Sequence, residues 1–360
     1  MDRRDHLGDL IARHRLLDEA ILHSREPFLS DWNGSHPFVK AFLGPDIYDD
    51  AAALAKRPRY LYFDDDSDII HGVCRVHRQL DGLSLSAEHI MAGPGSSSLL
   101  VALSLWLLRE GHREVFYVPP LYYTLHYFLR LLGIRLRPVT SRQLFEADIT
   151  LNLPERSAVL LLCDPVWYAG RRVPRSTIKS IADWQQRTGS LVLVDGSFQY
   201  MQWDGTRAEH SALLDPELTF RLISPTKSLA IPSFRFAYLL HPLRVHRDLG
   251  FLYGSLVGSA TAADVIFARR ALDVLASEES NRVLTAFLQA VYVRMIEQEL
   301  IETRVIPDCG YFIFAVLRSI SKCHVVMGQD YFELKGYPDH VRINLMVAHE
   351  QYFSASSTLS

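Results

Sequence analysis

The stretch Leu191-Val192-Leu193-Val194-Asp195 constrains the fold of this chain more than any other. Successive strand residues point to opposite faces, so an unbroken apolar run needs cover on both sides. A parallel sheet with helices on both faces supplies that cover. Ala158 to Cys163 repeats the pattern. Ligands of such sheets sit beyond the carboxyl ends of the strands, where Asp195 closes this one. A carboxylate there is costly without a cationic partner. Asp195 is therefore a candidate site residue, with a structural helix cap as the alternative.

Strands and helices alternate along the rest of the chain. Apolar positions from Leu7 to Leu22 form a helical stripe over residues 6–24, closed by Pro27. Residues 46–60 read as helical, and the acidic run Asp64 to Asp66 suits the cap of a following helix. Strands are expected at His89–Met91, Val115–Val118, Ile134–Thr140 and Ala158–Cys163, with helices over Leu99–Leu108 and Leu121–Leu132. Further on, helices are expected over residues 259–276 and 278–303, then strands at Gly310–Val316, His324–Val326 and Val341–Leu345. Right-handed crossovers turn this order into an α/β fold with a mostly parallel sheet between helices, plus a small α+β C-terminal domain. With 360 residues, 48% of them hydrophobic, the chain is long enough for both. The expected division is an N-terminal helix and mouth segment over 1–40, a large domain over 41–265 and a small domain over 266–360.

Composition removes several function classes. A net charge of −3 gives no electrostatic case for a nucleic-acid partner. Residues 1–26 lack the apolar stretch of a secretory signal, and the run Ser98–Leu108 is too short to cross a bilayer. Cys74, Cys163, Cys309 and Cys323 are scattered without a paired spacing, which points to a reducing cytoplasm and away from disulfides or zinc. No metal is expected.

The chemistry concentrates in a few places. Ser224-Pro225-Thr226-Lys227 stands between the apolar runs Phe220–Ile223 and Phe234–Leu240, with Arg235 eight residues after the lysine. A lysine between apolar segments loses solvation, which favours the neutral amine that attacks carbonyls. Hydroxyls and a guanidinium suit a phosphate. Gly93-Pro94-Gly95-Ser96-Ser97 precedes a long apolar helix, a phosphate cradle of free N–H groups and side-chain donors. The alternative there is a plain serine cap. Tyr122 follows a strand and two prolines, and Asp164-Pro165-Val166-Trp167-Tyr168-Ala169-Gly170 follows another strand.

In this order the motifs resemble those of the fold-type I pyridoxal-phosphate (PLP) enzymes. The family is class I/II aminotransferases of the histidinol-phosphate aminotransferase type, and the likeness covers roughly residues 30 to 347. The resemblance implies a cofactor-bearing Lys227, with Asp195 on the pyridine nitrogen and Tyr122 stacked on the ring. It implies phosphate ligands at Ser96, Ser97, Ser224 and Arg235, and Tyr62 reaching the phosphate of a partner subunit in a homodimer with shared active sites. Arg342 would clamp the substrate carboxylate, and the mouth segment would bring Trp32, Asn33 or His36 near substrate. Two positions depart from the family: Trp167 stands in place of an Asn, and Phe198 in place of a Tyr, both of which donate to the cofactor's O3′. Tyr200 or Tyr168 is a candidate replacement donor. The expected function is aminotransfer between amino and keto acids. The alternatives are a specialised PLP reaction of natural-product biosynthesis (oxidation, cyclisation, elimination or substitution) and a non-catalytic PLP-binding sensor. An amino-acid substrate is the expected partner, with neither nucleic acid nor membrane.

Overall fold

The computed structural model describes residues 29–30, 34, 36–146, 149–318, 326–327 and 336–353. The expected helix over residues 6–24 lies outside these, as do Trp32 and Asn33.

The large sheet contains β1 (Ile90–Gly93), β2 (Glu114–Tyr117), β3 (Arg135–Pro138), β4 (Val159–Cys163), β5 (Leu191–Gly196), β6 (Thr219–Ile223) and β7 (Ala237–Leu240). Its seven strands run in the order β1-β7-β6-β5-β4-β2-β3. Strand β7 is antiparallel to both of its neighbours, and the other pairings are parallel. The central strands are buried along their whole length. Leu160, Leu162, Val192 and Val194 join one apolar cluster, while Val159, Leu161, Leu191 and Leu193 join another on the opposite face. The continuous apolar runs are thus two alternating sets superimposed.

Helices α1 (Val39–Leu43), α2 (Ile47–Ala55) and α3 (Ser67–Leu80) precede the sheet. Next come α4 (Ser96–Arg109), α5 (Tyr123–Leu131), α6 (Arg175–Thr188), the short α7 (Pro225–Ser228) and α8 (His246–Leu256). Leu99, Leu103 and Trp106 of α4, Leu125 and Leu129 of α5 and Leu249 of α8 cover one face. Ile69, Val73 and Val76 of α3 and Ile178 and Ile181 of α6 cover the other. Asp66 caps α3, its carboxylate accepting the Ile69 N–H at 3.2 Å. The same carboxylate pairs with Arg269 at 2.7 Å. Arg269 lies on α9 (Ala262–Ala276), so the cap also ties two helices together.

Helix α10 spans Glu278–Glu297 and stops short of the expected residue 303. Glu299 adopts φ 53°, which a helix cannot continue through, and Ile301–Glu302 become β8. With β9 (Phe312–Leu317), β10 (Val326–Met327) and β11 (Val341–Asn344), β8 forms a four-stranded antiparallel sheet in the order β10-β11-β9-β8. Helix α11 (Leu345–Tyr352) follows, its first turn capped by Asn344. The turn after β4 presses directly on β9. Gly170 has φ 59°, and a Cβ there would lie 2.1 Å from the Phe312 carbonyl oxygen. Only glycine allows that approach.

One charge sits in the middle of the sheet. Arg221 on β6 is 3% exposed and donates to Asp81 (2.9 Å), Gln199 (2.8 Å) and the Tyr200 hydroxyl (3.2 Å). Burial is the largest single influence and raises the Asp81 pKa, but the Arg221 guanidinium, His77 and the Glu209 N–H together outweigh it and hold the carboxyl well below its usual range.

Two buried histidines give stability a pH dependence. Burial pushes His36 and His241 down to about 4. The ring of His36 bonds the Leu284 carbonyl and lies near His349. His241 bonds the Pro242 carbonyl and faces His246, His89 and Glu217. Both are neutral when folded, whereas the unfolded chain protonates its histidines near pH 6.5. Their contribution is therefore complete above that pH and is lost as pH falls from about 6.5 to about 4, up to about 3 kcal/mol each. Urea midpoints measured from pH 7.5 down to 4.5 should fall below about pH 6.5. His36→Gln and His241→Gln should each flatten that slope, and a flat wild-type profile would contradict this account.

Candidate active site

Strands β1, β2, β4, β5 and β6 share one direction, so the segments that follow them meet at a single rim. Strand β7 runs the other way, which brings Arg235, just before it, to the same rim. Lys227 is on the one-turn helix α7 after β6, where its N–H donates to the Ser224 carbonyl at 2.8 Å. Thr226 clips this turn to the arginine segment: its hydroxyl donates to the Phe236 carbonyl (2.9 Å) and accepts the Phe236 N–H (3.0 Å). The Lys227 amine lies 4.8 Å from the centroid of the Tyr122 ring and 5.6 Å from that of Phe198.

Asp195 is 8% exposed at the end of β5. Its Oδ1 accepts from the Ser197 hydroxyl at 2.6 Å and the Ser197 N–H at 3.1 Å. Cys163 is its register partner on β4. Burial pushes the Cys163 thiol well above its usual range, and the Asp195 carboxylate adds to this. The thiol also interacts with Lys227 and with the Tyr122 backbone, so it belongs to the same pocket.

The anion cradle forms where β1 meets α4. Gly95 has φ 96°, and a Cβ on it would lie 2.4 Å from Arg235 Nη2. The guanidinium is therefore packed against the first turn of α4, where Ser96 is buried and Ser97 exposed. Free N–H groups, the dipole and the arginine converge there. Gly93 is glycine for a similar reason: a Cβ would fall 1.5 Å from the Tyr253 hydroxyl oxygen.

Arg342 of β11 is 1% exposed. Its guanidinium carbon lies 4.5 Å from the Phe312 ring centroid and 5.4 Å from that of Trp167. It donates to the Ser30 carbonyl, the Ser30 hydroxyl donates to the Arg342 carbonyl (2.5 Å), and the Asn344 N–H donates to the Leu29 carbonyl (2.7 Å). Residues 29–30 are thus strapped to β11. Trp167 also meets Tyr122 edge-on, with centroids 6.4 Å apart at 83°. Lys227, Tyr122, Trp167 and Arg342 form one continuous chain of contacts.

Three expected candidates point elsewhere. His36 is bonded to the Leu284 carbonyl among Phe38 and Phe287. Tyr200, with φ 69°, directs its hydroxyl to Asp81 (2.8 Å) in the Arg221 network. The Tyr168 hydroxyl donates to Gln143 at 2.7 Å. Neither tyrosine brings a donor to the side of the pocket held by Trp167 and Phe198. Tyr62 is 45% exposed. Nearby Asp64 accepts the Ala92 N–H at 2.6 Å, which puts the Tyr62 segment beside β1.

The residues at the rim fit pyridoxal phosphate. An arginine-backed helix start suits the phosphate, an aromatic face suits the ring, and a buried carboxylate suits a protonated ring nitrogen. An amine faces the same space. Among the described residues, no group of three or more His, Cys, Asp or Glu could hold a metal ion. The sequence marks Thr226 only as a hydroxyl of the turn before Lys227, and it does not mark Ser197, Cys163 or Tyr253 as site residues. Only the hydroxyls beside Lys227 and Asp195 gave a signal, because the other contacts join residues far apart in the chain.

Comparison with known proteins adds a family model. The model, described as aminotransferase class I and II, matches residues 44–351. An aspartate aminotransferase from Pinus pinaster is 24% identical over 214 residues, 56% of this chain and 43% of that protein. The match therefore spans less than half the length of that relative. The structure of a single mutant of the aspartate aminotransferase of Thermus thermophilus superposes with a TM-score of 0.74 at 15% identity, covering 97% of each chain. A probable N-succinyldiaminopimelate aminotransferase, also from Thermus thermophilus, gives a TM-score of 0.72 at 17% identity, covering 96% of this chain and 97% of that one. At these identities the structures establish the fold.

The cradle makes Gly95→Ala informative. The added methyl meets Arg235 and sits at a positive φ. Affinity for pyridoxal phosphate, followed by fluorescence titration, should fall about 10-fold or more, as for loss of roughly one charge-assisted contact. Binding as tight as that of the parent would count against this turn as the anion site.

Proposed function

The chain belongs to the class I and II aminotransferases, and on that premise we propose that it is a PLP-dependent enzyme moving the α-amino group between an amino acid and a keto acid. The observation that carries the reading is the Lys227 amine, set between the Tyr122 and Phe198 rings at the rim shared by Asp195 and Arg235. The bound cofactor supplies an electron-withdrawing ring for the bond broken at the substrate α-carbon. Lys227 holds the cofactor through its amine and, once released, takes and returns the α-proton. Asp195, steadied by Ser197, keeps a proton on the ring nitrogen. Ser96, Ser97, Ser224 and Arg235 hold the phosphate, and Tyr122 covers the ring. Arg342 orients the substrate by its carboxylate; Trp32 and Asn33, which lie outside the described residues, are proposed as further substrate-binding residues.

A specialised PLP reaction is the second reading. One observation favours it: the Tyr200 and Tyr168 hydroxyls are engaged elsewhere, leaving Trp167 and Phe198 where the resembled enzymes carry donors. Product analysis separates the two. A keto acid formed in step with amination of an acceptor supports aminotransfer, while oxidised, cyclised or eliminated products support the second. Further proposals are a division into large and small domains near residue 265, which falls inside the continuous helix α9 and not in a linker, and, given the scattered cysteines, a cytoplasmic setting. No helix among the described residues is long and apolar enough to cross a membrane.

Two outcomes test the site. Borohydride reduction of the holoenzyme followed by peptide mapping should place the pyridoxyl label on Lys227. A label elsewhere, or no bound chromophore, would sink the assignment. We also propose a homodimer in which Tyr62 completes the partner's phosphate site. Mixing inactive Lys227→Ala with Tyr62→Phe subunits should yield one hybrid site containing both native side chains and restore part of the activity. A monomer fully active in the analytical ultracentrifuge would rule this out.

A further inference from the structure

Asp195 closes β5 with both of its side-chain hydrogen bonds on one oxygen. Oδ1 accepts the Ser197 hydroxyl at 2.6 Å and the Ser197 N–H at 3.1 Å. The two bonds differ in what they require. The N–H bond closes a turn that any residue but proline could make at position 197. The hydroxyl bond needs serine or threonine, and at 2.6 Å it has the length of a strong bond to a charged oxygen. Both residues are buried, so water has little access to the pair. The backbone that presents the hydroxyl is held on two sides. The Ser197 carbonyl accepts the Ser228 hydroxyl at 3.4 Å, and Ser228 follows Lys227 on α7. The intervening Gly196 is packed under Gln199, since a Cβ there would lie 2.5 Å from the Gln199 amide carbon. Gln199 donates in turn to the Asp164 carbonyl at 2.9 Å.

We infer that Ser197 is a positioning residue for the cofactor's ring nitrogen: its hydroxyl occupies Oδ1, fixes the rotation of the Asp195 carboxylate and leaves Oδ2 to hold the ring proton. The inference rests on the assignment of Asp195 made under the proposed function. The terminal torsion of an aspartate is broad, so a carboxylate rotates easily unless something fixes it. The Ser197 N–H restrains one oxygen at a single point, and the hydroxyl adds the second point that sets the plane. A functional group must be held within about 0.5 Å and about 10–20° of its working geometry by such supporting bonds. The neighbours offer no substitute. Phe198 has no side-chain donor, and the thiol of Cys163, the register partner of Asp195, is a weak one. Ser197 thus acts on the ring through Asp195, and its link to Ser228 keeps that carboxylate in register with the lysine turn.

The test reads the ring nitrogen and not turnover. Holoenzyme loaded with pyridoxal phosphate carrying nitrogen-15 in the ring is observed by NMR at pH 7.5, where the resonance separates protonated from neutral nitrogen. In Ser197→Ala the ratio of protonated to neutral nitrogen should fall about 10-fold, as for one charge-assisted bond lost. Ser197→Thr keeps the hydroxyl and should hold the parent ratio. Ser197→Cys keeps the volume with only a weak donor, so its ratio should fall as well. It decides the matter if the alanine variant fails to fold by circular dichroism. Asp195→Asn is the reference and should lose the protonated signal. A parent-like ratio in folded Ser197→Ala, beside a lost signal in Asp195→Asn, would make Ser197 a turn residue only and overturn the inference. A threonine variant that falls as far as alanine would overturn it too. If Asp195→Asn also keeps the parent ratio, the Asp195 assignment itself fails and takes this inference with it.

Discussion

Burial of the central strands on both faces is the constraint from which the rest of the structure follows. Strands β4, β5 and β6 have no solvent side, so almost every position in them must be apolar. Polar chemistry is thereby pushed to the strand ends. Asp195, Trp167 and Lys227 appear within a few residues of those ends because that is where a side chain can be polar and still reach solvent or ligand. The reversed direction of β7 has the same effect on Arg235, which a uniformly parallel sheet would have placed at the far edge. The site is therefore assembled by strand direction and held by short-range clips such as Thr226 and Ser197.

Arg221 is the exception that shows what a charge inside the sheet requires. It is neutralised by Asp81, bonded to Gln199 and Tyr200, and indirectly linked to Tyr238 through His77. Removing one member of such a pair strands its partner, at a cost of about 3–5 kcal/mol. The network also reaches the site. The Gln199 amide donates to the Asp164 carbonyl at 2.9 Å, bracing the turns after β4 and β5 against each other. Tyr200 belongs to this support, and its left-handed backbone turns its ring away from the rim.

Much of this was legible in the sequence wherever the signal was local. The apolar runs gave the central strands, and Asp195, Lys227, Arg235 and the Gly95 turn fell at element ends as their neighbours implied. What stayed hidden depends on contacts between distant residues. The end of α10 was placed too late because Glu299 is an ordinary helix former, and its φ of 53° is set by the pairing of Ile301 with Leu317 just beyond it. His36 read as a mouth residue, yet its partner, the Leu284 carbonyl, lies 248 positions away. The same holds for Tyr253 against Gly93, where a phenol decides the identity of a glycine with no sequence relation to it.

Trp167 unites these threads. A small polar residue at that position could serve one neighbour at a time. The indole instead touches Tyr122, Tyr168 and Arg342 at once. Tyr168 is in turn anchored to Gln143 and packed edge-on against Phe314 of the small sheet. The ring face beside Lys227 and the guanidinium on β11 are therefore positioned by the same buried side chain, and neither can shift without moving it. Because interiors are packed at crystal-like density, such a shift is resisted by every ring in the chain of contacts. Trp167 is thus a rigid aromatic spacer between the Lys227 and Arg342 sides of the rim.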